Sequence, residues 1–195
     1  MTLARGSLFL LLAGLSILCW GLSLRMAGAH VHGSVWPLFA MWSVMMVGMM
    51  VPVEAPSLLR LPVRQVLPWL GGYLAPWMAF SLAAAALQAR LHHAGGGFAA
   101  ALLIVAGGMQ LSPWKRSCLE RCRAMPAGGL SAGLRAGSLS VLSCGVLMLL
   151  PLVTGMSAVP MVLLTVFCLL ERAIPRASTV AGVGLAGWGV LFLAL

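Results

Sequence analysis

The sequence predicts an all-α integral membrane protein, a polytopic bundle of about seven transmembrane helices. Hydrophobic residues make up 62% of the 195 positions, and only 12 basic and 3 acidic residues carry a formal charge. So few charged side chains cannot cover the surface of a soluble globular protein. Apolar runs longer than the roughly 18 residues that mark a spanning helix recur along the chain. The net charge of +9 therefore indicates basic loops at a membrane face, and no nucleic-acid partner is expected.

Polar or Pro/Gly-rich breaks between the apolar runs set the ends of the predicted helices. They define one membrane domain over residues 1–195, with spans at 7–24, 35–56, 67–89, 96–112, 136–154, 157–172 and 178–195. The fourth and sixth spans are short. The first, with Arg5 before it and Ala27-Gly28-Ala29 after it, also resembles a cleavable secretory signal. Its apolar core runs on through Leu24, which favours an uncleaved helix.

The distribution of basic residues predicts the orientation. With the N-terminus inside, ten of the 12 basic residues fall on the inner side, and only Arg25 and Arg90 fall outside. Inner loops of membrane proteins carry an excess of Lys and Arg. We therefore expect the N-terminus inside, the C-terminus outside and a cytoplasmic loop at residues 113–135. The expected location is the bacterial cytoplasmic (inner) membrane, as a multi-pass protein.

Methionine is concentrated in the second span. Five of the 13 methionines lie within ten residues: Met41, Met45, Met46, Met49 and Met50. At helical spacing Met41, Met45 and Met49 share one face, while Met46 and Met50 lie on the adjoining stripe. Thioether sulfur is a soft ligand that suits Cu(I), but methionine also fills irregular gaps between helices. The cluster is therefore either part of a metal site or packing.

Glu54 follows the methionines, between Pro52 and Pro56. The prolines are expected to break or kink the helix there. An ionisable residue inside a membrane segment is a functional candidate, and pairing with Arg60 or Arg64 is the alternative.

The cysteines are the second group of candidate ligands. Cys118 and Cys122, four residues apart in the inner loop, fall on one helical face and can chelate one metal ion. Their spacing alone is not a complete zinc motif. Cys144 lies in the fifth span, with Met148 one turn further on the same face. Cys168 lies at a similar depth, near the inner end of the sixth span.

Four histidines flank the predicted outer loops: His30, His32, His92 and His93. Neutral imidazole suits metal capture at an oxidising face. The alternative is that they are polar caps at the membrane interface. As ligands they would form an outer station that feeds the inner, sulfur-rich one.

Three segments carry a resemblance to a known family. They are Met41 to Pro52; Gly107-Gly108-Met109-Gln110-Leu111-Ser112-Pro113-Trp114-Lys115-Arg116-Ser117-Cys118 with Cys122-Arg123; and Cys144 to Met148, with Glu171-Arg172 as an acidic–basic pair near the end. From about residue 36 onward the chain resembles the predicted metal-binding integral membrane proteins, domain of unknown function 2182. That family usually carries several cysteines and a tryptophan around the fifth span, whereas this chain has Ser140 and Ser143 beside Cys144. The resemblance implies a metal role.

The combined prediction is an integral membrane protein that binds a soft metal for handling, delivery or transfer. Copper is expected first and another soft transition metal second. The predicted ligands are Met45, Met46, Met49, Met50, Cys118, Cys122, Cys144 and Met148, with Glu54 as a nearby acid. The expected partners are the bilayer, the metal ion and a membrane or periplasmic protein.

Two alternatives stay open. One is a membrane-embedded, metal-dependent oxidoreductase acting on a lipophilic substrate. The other is a structural or assembly partner of a membrane complex, in which the sulfur residues only pack helices. An enzyme is less favoured, because the chain has three acids and shows neither a Ser-His-Asp grouping nor a phosphate-binding glycine loop.

Overall fold

The computed structural model describes residues 2–28, 34–90, 96–124, 128–154, 158–174 and 177–194. Within these ranges every regular element is helical, which confirms the predicted all-α class. The helices are α1 (Thr2–Gly28), α2 (Val35–Leu58), α3 (Val63–Arg90), α4 (Gly96–Leu111), α5 (Pro113–Ala124), α6 (Gly129–Cys144), α7 (Pro151–Thr154), α8 (Ala158–Ala173) and α9 (Ala177–Ala194).

Among the residues that the structure describes, three helices are long and apolar enough to cross a membrane: α1, α2 and α3. Two bent pairs raise this number to five if each pair is a single span. They are α4 with α5, at 63°, and α6 with the segment up to Val153, at 69°. Helices α4 and α8 have 16 residues each, fewer than the roughly 20 that cross the hydrocarbon core. Within the described ranges, helix length and composition therefore support three to five spans rather than clearly seven.

The segment predicted as the fifth span contains a break. Helix α6 ends at Cys144, a 3₁₀ turn follows at Leu147–Leu149, and α7 begins at Pro151. Proline has no N–H to donate and its ring clashes with the carbonyl four residues earlier. The backbone therefore tightens, with Leu149 donating to the carbonyl of Val146 at 3.1 Å. Cys144 consequently stands at a helix end, and most of the predicted loop 113–135 is itself helical.

Helix α2 lies at the centre of the bundle and packs against α1, α3 and α8. It continues through Pro52 and Pro56 to Leu58, so of the break or kink expected at these prolines, the break does not occur. All five methionines of the cluster are buried, with exposed fractions of 0–4%. The methionine stripe therefore faces the protein interior.

Close backbone packing between α3 and α6 sets the position of the end of α6. Gly133 and Gly137, one turn apart on α6, meet the backbone of α3. A Cβ added to Gly137 would lie 3.0 Å from two backbone carbons of Tyr73 and closer still to its carbonyl oxygen. Small residues are what allow helices to approach this closely. One turn further on, the Tyr73 hydroxyl and Ser140 Oγ form a hydrogen bond of 3.0 Å, and Cys144 follows.

Candidate metal centre

Three potential metal ligands meet where the end of α6 approaches α8. Cys168 and Glu171 are three residues apart on α8 and so lie on one face of that helix. Their Sγ and carboxylate oxygen, together with Sγ of Cys144, all lie within 4.8 Å of one another. The three residues are only 8%, 3% and 1% exposed for Cys144, Cys168 and Glu171. Two thiols and a carboxylate therefore converge inside the protein.

A small cavity adjoins these ligands. Its volume is about 10 Å³, and its wall is formed by Met50, Val53, Leu119, Ser140, Ser143, Cys144, Cys168, Glu171 and Arg172. A cavity of this size is close to the lower limit for one water molecule. A single ion therefore fits into it. Met50, a residue of the methionine cluster, also belongs to its wall.

Lys115 of α5 is a buried cation beside the site. Its Nζ lies 2.7 and 2.9 Å from the two carboxylate oxygens of Glu171. It also donates to the side-chain oxygen of Gln110 and lies 6.0 Å from the centre of the Phe167 ring. Lys115 is 1% exposed, and a charge so deeply buried requires such partners. The ion pair thus balances the carboxylate at the edge of the candidate site.

A second ion pair joins α2 to α8. Arg172 donates through Nη1 to Glu54 at 2.7 Å and through Nη2 to the other carboxylate oxygen. Nη1 also lies 3.3 Å from the carbonyl oxygen of Val53. Forked pairs of this kind are strong and geometrically specific. Glu54 therefore pairs with Arg172 rather than with Arg60 or Arg64, which are both exposed.

A protein-family model described as PpoB2, copper chaperone, matches residues 39–192. The match covers most of the chain and includes every residue that lines the cavity. The chain belongs to this copper chaperone family. No curated protein and no solved structure matches the chain. Membership supports the coarser prediction of a metal-binding family and associates the chain with copper handling. It gives the oxidoreductase alternative no support.

In this member of the copper chaperone family, the predicted ligands are distributed unevenly around the cavity. Met50 and Cys144 share its wall. The other predicted methionines, Met45, Met46, Met49 and Met148, are fully buried in the same hydrophobic core. Cys118 is buried on α5. The predictions for the side chain of Cys122 and for His30, His32, His92 and His93 lie outside the described residues.

Glu171 and Lys115 were not among the sequence-predicted ligands, and neither was Cys168, although its depth was noted. The pattern Cys168-x-x-Glu171 places both side chains on one helical face, and this signal was present in the sequence. That the same face meets the end of α6 is a property of the packed bundle. Ser140 and Ser143, the two serines nearest Cys144 in the sequence, also line the cavity. Ser143 Oγ lies 3.5 Å from Sγ of Cys144.

Proposed function

We propose that this protein is an integral membrane copper chaperone that holds one Cu(I) ion between Cys144 and Cys168. The observation that carries the proposal is the convergence of these two thiols and Glu171 within 4.8 Å, in a chain that belongs to a copper chaperone family. The copper ion is the cargo of this site. It is held by the thiols and then passed to an acceptor.

The chemistry of the donors supports Cu(I). Thiolate and thioether sulfur are soft ligands that favour Cu(I), whereas carboxylate oxygen suits harder ions. Cys144 and Cys168 supply two sulfur atoms, and Met50 in the cavity wall is available as a third. Cu(I) is satisfied by two or three soft ligands. Glu171 is hard and is held by Lys115, so it contributes more to charge balance than to direct coordination.

The size of the cavity favours a protein that carries a metal ion rather than one that catalyses a reaction. A space of about 10 Å³ takes one ion and leaves no room for a lipophilic molecule beside it. The long apolar helices α1, α2 and α3 would hold the site within a bilayer. From the distribution of basic residues we propose the bacterial inner membrane with the N-terminus inside. The acceptor would be a membrane or periplasmic protein.

Elemental analysis of purified protein loaded with Cu(I) tests the proposal. Replacing both site thiols, Cys144→Ser with Cys168→Ser, should remove the bound copper, because a hydroxyl is a poor ligand for a soft ion. Cys19→Ser is the matched control, since Cys19 is also a buried cysteine but lies on α1. It should retain copper as the wild type does.

Two results would count against the proposed site. Full copper retention in the double serine variant would exclude the two thiols as the main ligands. Loss of copper in Cys118→Ser with Cys122→Ser, with retention in the first variant, would move the site to the cysteine pair of α5. X-ray absorption at the copper edge adds a direct readout, because the proposal expects sulfur neighbours around the ion.

A further inference from the structure

The side chain of Lys115 is buried and makes more polar contacts than the side chain of a surface lysine. Its ammonium meets both oxygens of Glu171, a side-chain oxygen from α4 and the face of a ring from α8. It is 1% exposed, as is Glu171. Burying two charges costs several kcal/mol per ion before their attraction is counted. The pair stands directly beside the two candidate thiols, so its electrostatic effect falls on any ion that binds there.

The ligand set of the site depends on this lysine. Two thiolates and a carboxylate, with a water, form a ligand set typical of Zn(II), which takes Cys sulfur and Glu oxygen in tetrahedral sites. With Glu171 engaged by an ammonium, its charge is already neutralised, and two sulfur atoms remain as the strong ligands. Two thiolates suffice for Cu(I), whereas Zn(II) requires further ligands.

We propose that Lys115 determines the metal specificity of the site, by holding Glu171 so that the cavity accepts Cu(I) and disfavours Zn(II). This inference rests on the proposed function. Lys115 is a positioning residue, because it acts on the metal through Glu171. A merely structural lysine, one that only ties α4, α5 and α8 together, would change the retention of both metals in parallel. If Lys115 sets the specificity, its replacement changes the ratio of Zn(II) affinity to Cu(I) affinity.

The test compares Cu(I) and Zn(II) affinities of the full chain in detergent, by competition with a chromophoric chelator for each ion. Lys115→Met removes the charge at similar side-chain length. It should raise Zn(II) affinity by about 10- to 100-fold, the effect typical of residues that tune metal ligands, and leave Cu(I) affinity much less changed. Lys115→Arg keeps the positive charge and should retain the wild-type ratio. Lys115→Met with Glu171→Gln should lose the gain in Zn(II) affinity.

An unchanged Zn(II)-to-Cu(I) ratio in Lys115→Met would overturn the inference. If that variant is recovered poorly, Zn(II) should restore its yield and raise its melting temperature, and Lys115→Gln should show the same zinc-dependent gain. Absence of any zinc-dependent recovery in both variants would also overturn it. Failure of the proposed function is distinguishable, because the wild type itself would then bind no Cu(I) through Cys144 and Cys168.

Discussion

Replacing Gly137 by alanine should separate α3 from α6 and disturb the candidate metal site. The new Cβ would lie 3.0 Å from two backbone carbons of Tyr73, whereas carbon atoms pack best at about 3.5–4.0 Å. The two helix backbones would therefore have to move apart by at least about 0.5 Å. Overpacking of this kind costs about 1–3 kcal/mol. Because Cys144 lies on the same helix two turns further on, copper retention should fall as well.

Gly71→Ala on α3 is the matched control, because a Cβ there meets no atom within 4 Å. Both substitutions gain the same helix propensity of about 1 kcal/mol, so the difference between the two variants isolates the contact with α3. Denaturant unfolding in detergent, followed by circular dichroism, measures that difference. Gly137→Ala should be less stable than Gly71→Ala by about 1–3 kcal/mol. Equal stabilities would refute the close α3–α6 packing.

Three further predictions concern other parts of the molecule. Arg172→Met leaves Glu54 buried without its arginine and should lower the free energy of unfolding by up to about 3 kcal/mol. Adding Glu54→Gln to this variant should restore most of the lost stability. If stability does not recover, the Arg172–Glu54 pair is not what the first substitution disrupts. Met50→Leu should weaken Cu(I) binding while Met41→Leu, a buried methionine more than two turns away, should not; equal affinities would reduce Met50 to packing. A cysteine introduced at the exposed Ser117 should react with an impermeant thiol reagent only from the cytoplasmic side, and labelling from the opposite side would reverse the orientation.

Much of the sulfur-rich character of the interior could be predicted from the sequence. The helical spacing of the methionines on α2 predicts that they share a face, and the packing of the bundle is what buries that face. Met50 and Cys144 both line the cavity, and counting along the second and fifth predicted spans places the two residues at similar depths. Depth is available from the sequence because each residue of a helix advances by a fixed rise.

The sequence does not show in the same way which helices lie side by side in the plane of the membrane. Whether Cys168 or Cys118 stands beside Cys144 depends on which helices are neighbours, and that is decided by contacts between residues distant in sequence, such as Gly137 with Tyr73. The partner of Glu54 illustrates the same limit of sequence: the alternative pairing named Arg60 or Arg64, which are near in sequence, whereas Arg172 is near in space. The break after Cys144 was missed because a proline seven residues later perturbs the preceding turn, whereas Pro52 and Pro56 leave α2 continuous.

The end of α6 at Cys144 also places a helix terminus beside the cavity. Aligned peptide dipoles leave a helix C-terminus with a partial negative charge of about half an electron. A helix continuing to Thr154 would have carried that terminus about 15 Å further along its axis. Because the regular α-helix ends at Cys144, which lines the cavity, that terminus lies near the cavity. An arriving cation would gain about 0.3–1 kcal/mol from it, and the backbone would thereby attract a positive ion without adding a buried carboxylate.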